Sequence, residues 1–290
     1  MAHQERKKIM KTWKKIVLGV SLISLFLGGG LVIWGYCQSG LTDLQNQTIS
    51  EQDYVKKEVK DFNKIDIKSS SYNVLIKNGD VDKATLSYYQ KTKNPIDTSV
   101  KDGQLTINDN NSELDSTSNK HINFFGLKDL VRLSTLNEEV RNKTIVITLP
   151  KKQTIDFLKV DLATGNLDLS NSTIKQADIN LNVGDLTFTK MIVSNLKANL
   201  DVGSVDSDHT LFTNSDLSIA MGDYSGDNLI FNGHNKLDVT SGDIEIALKD
   251  YTLNVQADSH SGEVDITNNL KISKDNTLTI TSDLGDITVE

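Results

Sequence analysis

The 290 residues hold one cysteine, two prolines, two tryptophans and three arginines. Cys37 has no partner, so an intramolecular disulfide is excluded and stability has to come from packing. Two prolines exclude a proline-rich stalk. The arginines are Arg6, Arg132 and Arg141, which leaves the C-terminal half without a guanidinium to neutralise an acidic sugar or a phosphate. No Gly-x-Ser-x-Gly elbow, phosphate-binding glycine loop or His-Glu-x-x-His pair occurs. His121, His209, His234 and His260 are scattered, with no His-x-x-x-His pair and no cysteine at zinc spacing. The expectation is a binding protein with no catalytic, cofactor-binding or metal-binding residues.

Charge is divided along the chain. Arg6, Lys7, Lys8, Lys11, Lys14 and Lys15 stand against Glu5 alone, a local +5 in a chain of net −8. Residues 16–290 therefore carry −13 (−8 − 5). That balance excludes nucleic acid, which needs a cationic footprint, and a broad electrostatic dock on anionic lipid.

Ile16 to Tyr36 contains no charged residue and is long enough for a helix across a hydrocarbon core of about 30 Å. Trp13 and Trp34 lie at its two ends, where amphipathic rings favour the interface. The residues before Cys37 are Gly35-Tyr36, a poor match to a lipoprotein or signal-peptide cleavage site. The sequence thus predicts an uncleaved single-pass anchor at 16–36, a cytoplasmic tail at 1–15 and the remainder outside. Residues 37–60 are polar and read as a juxtamembrane linker.

From residue 61 the texture is that of strands. KIDIK (64–68), YNVLIK (72–77), ATLSYYQ (84–90) and QLTIND (104–109) alternate, with turn signals at Asn78-Gly79-Asp80 and Lys101-Asp102-Gly103. They predict a short antiparallel lead-in of four strands. Residues 110–142 interrupt it as an insertion with a short helix, bearing Phe124 and Phe125 as a possible contact or as a cap. KTIVITLP (143–150) resumes the strand pattern.

One phrase then recurs seven times: ATGNLDL, NVGDLTF, DVGSVDS, AMGDYSG, TSGDIEI, HSGEVDI and DLGDITV. Its glycines are Gly165, Gly184, Gly203, Gly222, Gly242, Gly262 and Gly285, at steps of 19, 19, 19, 20, 20 and 23 residues. A period near 20 marks stacked units that share one core. In the second unit Ile179, Leu181 and Val183 are read as inward, and Leu186 and Phe188 continue inward after Gly184-Asp185. Ala198, Leu200, Val202 and Val205 follow the same pattern. A straight strand would turn its second half to solvent, so the glycines are assigned to structural corners. Seven coils at about 4.8 Å make a rod of about 34 Å. An all-β single-stranded β-helix or solenoid is the expected fold. An antiparallel sandwich or roll has the same β content, and periodicity does not separate them.

FNKIDIKSSSYNVLIKNGD, DGQLTI, IVITLP and the serial Gly-Asp-Leu/Ile units together resemble a bacterial β-strand-repeat family of unknown function whose members are named as candidate adhesins. The resemblance covers residues 61–290 apart from 110–142. It implies a Gram-positive, membrane-bound protein associated with cell-envelope stress, and it supplies no catalytic or binding residues. An envelope protein or cell-wall ligand is the partner class so implied, and a surface adhesin or wall-contact module is the alternative. The acids that follow the glycines, Asp185, Asp223, Asp243, Glu263 and Asp286, form a row interrupted by Asn166 and Ser204. Turn hydrogen bonding accounts for such residues better than a calcium ladder does.

Overall fold

The computed structural model describes residues 52–91, 95–109 and 143–290. The apolar run 16–36 and the insertion with Phe124 and Phe125 lie outside the described residues. No helix among the described residues is long and apolar enough to cross a membrane. Contacts divide the chain into Met1–Ser50 and Glu51–Glu290. The buried core residues among the described residues run from Val59 to Val289 and form one cluster.

Each repeat is one coil with strands on up to three faces. On the first face Phe157–Thr164, Ala177–Val183, Leu196–Val202, Asp216–Met221 and His234–Ser241 lie side by side. The second face carries Leu167–Ser170, Leu186–Thr189, Val205–Asp208 and the start of Tyr224–Asn232. The narrow third face carries Thr154–Ile155, Thr173–Ile174, Ile192–Ser194, Leu211–Thr213 and the end of Tyr224–Asn232. All these pairings are parallel. The chain is therefore a stack of parallel coils, and a sandwich of hairpins is excluded.

Register places like on like. Ile179 lies between Val160 and Ala198, and Leu181 between Leu162 and Leu200, so each inward position becomes a buried column. Phe188, Phe212 and Phe231 continue this packing. Phe212 meets Phe188 edge-on at 5.3 Å and stacks on Phe231 at 5.8 Å. Outside the first face, Asp66, Lys159, Asp178, Lys197, Asp216 and Lys236 succeed one another along the stack. The alternation keeps like charges from facing across neighbouring strands.

Three corners separate the faces, and left-handed residues recur at each. The glycines form the first. The second has Asn171, Lys190, His209 and Asn228 at φ 49–54°, and the third has Asn195, Asn214 and Gly233 at φ 47–65°. Only the first was visible as a motif, because Asn, Lys and His enter the left-handed region without announcing it in the sequence.

At both ends of the stack the coils leave chain order. Lys64–Ser69 and Asn73–Gly79 form a coil against 157–170, and Gln104–Asn108 with Thr144–Pro150 form the coil beyond it. At the other end, Thr277–Leu284 and Ile287–Val289 are inserted between 234–248 and the outermost coil of Asn254–Ser261 and Val264–Ile266. The inserted coil buries Leu278, Ile280, Ile287 and Val289 from both sides. The displaced coil offers the smaller Val255 and Ala257, with polar Asp258, His260, Glu263 and Asp265. Placing the more apolar coil inside and the more polar one at the end buries more surface, and a polar terminal coil is what a repeat stack needs for solubility.

Two expectations need correction. The lead-in is mixed rather than antiparallel. KIDIK and YNVLIK are two faces of one coil, joined by a corner at Ser70–Tyr72, and both pair in parallel. Antiparallel pairing is confined to the periphery. There Asp97–Lys101 folds back on Gln104–Asn108 through Asp102 (φ 51°) and Gly103 (φ 73°), and Thr85–Lys91 pairs with Thr144–Pro150. Alternation specifies which residues point inward but not strand direction. The end of the expected linker is also a strand. Gln52–Glu58 pairs with Thr85–Lys91, and Tyr54 packs on Tyr89 at 4.9 Å. A polar edge strand carries no apolar alternation to reveal it.

Candidate functional site

The glycine corner is the most regular feature of the surface. Gly165, Gly184, Gly203, Gly222, Gly242 and Gly285 all have φ between 141 and 148°. They stack with Gly262 in the order 165, 184, 203, 222, 242, 285, 262. A methyl group added at any of them would collide with the backbone carbonyl of the preceding member, or of Tyr72 in the case of Gly165. The corner thus needs glycine twice over, for its φ and for the close approach of the neighbouring coil.

The residue after each glycine builds a second ladder. The Asp185 amide donates to Asn166 Oδ1 at 3.0 Å, and the Ser204 amide to Asp185 Oδ1 at 3.0 Å. Asp223 N–H then reaches Ser204 Oγ at 3.4 Å, and Asp243 N–H reaches Asp223 Oδ1 at 2.9 Å. Asp286 N–H and Glu263 N–H complete the series on Asp243 Oδ1 and Asp286 Oδ1 at 2.9 and 2.8 Å. At the other end Asn166 N–H donates to Asn73 Oδ1 at 2.9 Å. Each side chain therefore caps the amide of the next coil. Asn166 and Ser204, which break a row of charges, are full members of this row of acceptors. The ladder requires an acceptor oxygen and not a negative charge. We expect Asp185→Ala to lower stability by about 1 kcal/mol and Asp185→Asn to leave it unchanged, as read from denaturant midpoints.

Val183 and Val202 do not point inward as the alternation suggested. The corner is longer than Gly-Asp: Leu181 is the last buried residue before it and Leu186 the first after it. Val183, Val202, Met221 and Leu284 stand outside, 48%, 41%, 59% and 55% exposed. They occupy one register column, Thr164–Val183–Val202–Met221–Ser241–Leu284–Ser261. The signal that could have found them is the spacing of five from Leu181 to Leu186, which leaves room for both Asn182 and Val183 outside.

Burial acts on one acid beside this corner. Asp168, on the second face, is partly buried, and desolvation pushes its carboxyl above the usual range. The Thr187 hydroxyl opposes that shift, and the nearby Asp185 charge adds to it. A carboxyl raised on folding binds its proton more tightly in the native state, so its ionisation costs stability as pH rises. Asp168→Asn is expected to raise the melting temperature at neutral pH. The gain should vanish on titration below the ordinary aspartate range, where both forms are neutral.

Elsewhere a cleft of about 370 Å³ lies among Lys68, Ser69, Asp109, Asp161, Leu162 and Asn180. The Ser69 and Ser70 hydroxyls and the Ser70 amide donate to Asp109 Oδ2 at 3.1, 3.0 and 3.2 Å. Asn180 Nδ2 donates to Asp161 Oδ1 at 3.0 Å, and Asn180 Oδ1 accepts from Asn199 Nδ2 at 2.9 Å. These groups are engaged with one another rather than arranged as nucleophile and base. Among the described residues, no three of His, Cys, Asp and Glu group to hold a metal. His209 faces its neighbour Asp208 at 2.6 Å, and His234 faces Thr277 at 3.0 Å, at separate corners.

Among curated proteins none matches this chain. Solved structures with a similar course include a candidate cell-adhesion protein of Clostridium sporogenes, 16% identical, covering 82% of this chain and 99% of its own, at a TM-score of 0.38. A candidate adhesin of Bacteroides fragilis is 15% identical over 83% and 97%, at 0.36. A candidate lipid-binding protein of Parabacteroides distasonis is 11% identical over 83% and 98%, at 0.34. The profile of one family matches residues 62–290, the whole run from the first coil through the glycine ladder. This chain belongs to the Toastrack family, DUF4097.

Proposed function

We propose that this protein is a non-enzymatic, single-pass membrane protein that presents its Toastrack coils outside the cell to bind an envelope or surface partner. Envelope-stress sensing is the role we assign to that contact. The observation that carries the reading is the exposed aliphatic column on the glycine corner, since a soluble rod has no structural use for Val183, Val202 and Met221 in solvent. The +5 flank and the uncharged run 16–36 support the anchor and its orientation.

The test uses the full chain in cells of a deletion strain. Protease added to intact protoplasts should remove residues 51–290 and spare a cytoplasmic control. A strain lacking the protein should show altered output of an antibiotic-stress reporter. The wild-type chain should restore that output, and Val202→Asp/Met221→Asp, present at the same level, should not. Survival of the coils under protease would sink the topology. Full rescue by the double variant would sink the corner as the contact. Lost attachment with an unchanged reporter would replace sensing by adhesion.

A further inference from the structure

The seven corner tetrapeptides, residues 163–166, 182–185, 201–204, 220–223, 240–243, 260–263 and 283–286, contain no lysine or arginine. They contain Asp185, Asp201, Asp223, Asp243, Glu263, Asp283 and Asp286. The capping ladder follows the aliphatic column in each corner, and a mixed series precedes it (Ala163, Asn182, Asp201, Ala220, Thr240, Asp283 and His260), in which Asp201 and Asp283 are the acids. Asp185, Asp223, Asp243 and Asp286 each use Oδ1 on a backbone amide, and no ion pair among the described residues neutralises them. Asn166 serves the ladder at 3.0 Å and Ser204 at a longer 3.4 Å, so a neutral acceptor fills two of its steps and the negative charge is not needed for the fold.

We infer that this corner docks a cationic amphipathic α-helix lying along the stack. The inference rests on the surface-binding reading above and names the chemistry of its partner. Spacing selects a helix. Successive coils are about 4.8 Å apart, so Val183 to Met221 spans about 9.6 Å. Apolar residues at i, i+4 and i+7 of a helix span about 10.5 Å, close to that interval. In a strand, same-face side chains recur about every 6.7 Å and fall out of step by the third coil. Charge selects the sign. Lysines or arginines flanking the apolar stripe of such a helix would meet the ladder acids on one side and Asp201 and Asp283 on the other, where a second copy of this corner would meet like charge.

The experiment measures binding of fluorescent Leu/Lys peptides by the 51–290 unit. One peptide, about four turns long, has leucine at helical spacing. Its control has the same composition with leucine and lysine alternating. The helical peptide should bind about tenfold more tightly or better. Val202→Ser/Met221→Ser should weaken it by a similar factor. Asp185→Asn/Asp223→Asn, which keeps the ladder acceptors, should weaken it and flatten its salt dependence without changing the melting temperature. Equal binding of the two peptides, equal binding of polylysine, or indifference to both double variants would overturn the inference. If the helical peptide fails to bind while Val202→Asp/Met221→Asp still abolishes function in cells, this partner is wrong and the surface-binding reading stands.

Discussion

Gly203→Ala should destabilise the coil stack by on the order of 3–5 kcal/mol. Gly203 has φ 147°, a conformation that L side chains rarely adopt. Its amide donates to Met221 O at 2.9 Å, which fixes it against the next coil. On the other side a Cβ would lie 2.6 Å from the carbonyl carbon of Gly184 and closer still to its oxygen. Backbone cannot rotate away as a side chain can, so two coils would have to separate where both are hydrogen-bonded. Gly79→Ala is the control. There the added methyl meets only Thr148 Cγ2 at 2.7 Å, and the threonine can turn. Its cost should stay within about 1 kcal/mol. Denaturant unfolding of 51–290 gives both numbers, and equal losses would remove the glycine ladder as the reason for the repeat.

Ile280→Asp should cost about 4 kcal/mol or more, whereas Ala257→Asp should be tolerated with a loss near 1 kcal/mol. The two positions face each other in adjacent strands. If the coils stacked in chain order, residue 257 would lie inside and residue 280 at the end. In the structure Ile280 is fully buried between Leu237 and Ala257, while Ala257 is half-buried on the outermost coil. A carboxylate at 280 has no cation and no water; one at 257 reaches solvent. A larger loss from Ala257→Asp would contradict the insertion of the last coil, so this pair tests topology rather than packing alone.

What was legible in the sequence was what repeats. The Gly-Asx period set the coil length, and alternation before and after it identified Ile179, Leu181, Leu186 and Phe188 as inward. Turn chemistry placed Asp102-Gly103 between two strands. The acid row was read as local turn chemistry; its oxygens instead accept from the amide of the next coil, which is distant in sequence and so invisible there.

The sequence by itself determined that residues 61–109 and 143–290 are strand-rich, that they repeat with a period near 20 and that each repeat carries a glycine corner. These are local properties of one repeat, copied along the chain. The choice of parallel coils over a sandwich came only from the strand pairing. Only the tertiary structure decided the coil order at the two ends, the division into three faces and the outward position of Val183 and Val202. Coil order is a competition between whole apolar surfaces, won at one end by Leu278, Ile280, Ile287 and Val289 over Val255, Ala257, Val264 and Ile266. No residue within a single repeat encodes the outcome of that comparison. The outward positions 183 and 202 arise because the corner brings neighbouring backbones together at the glycines, a contact between coils that does not dictate which side chains fill those positions.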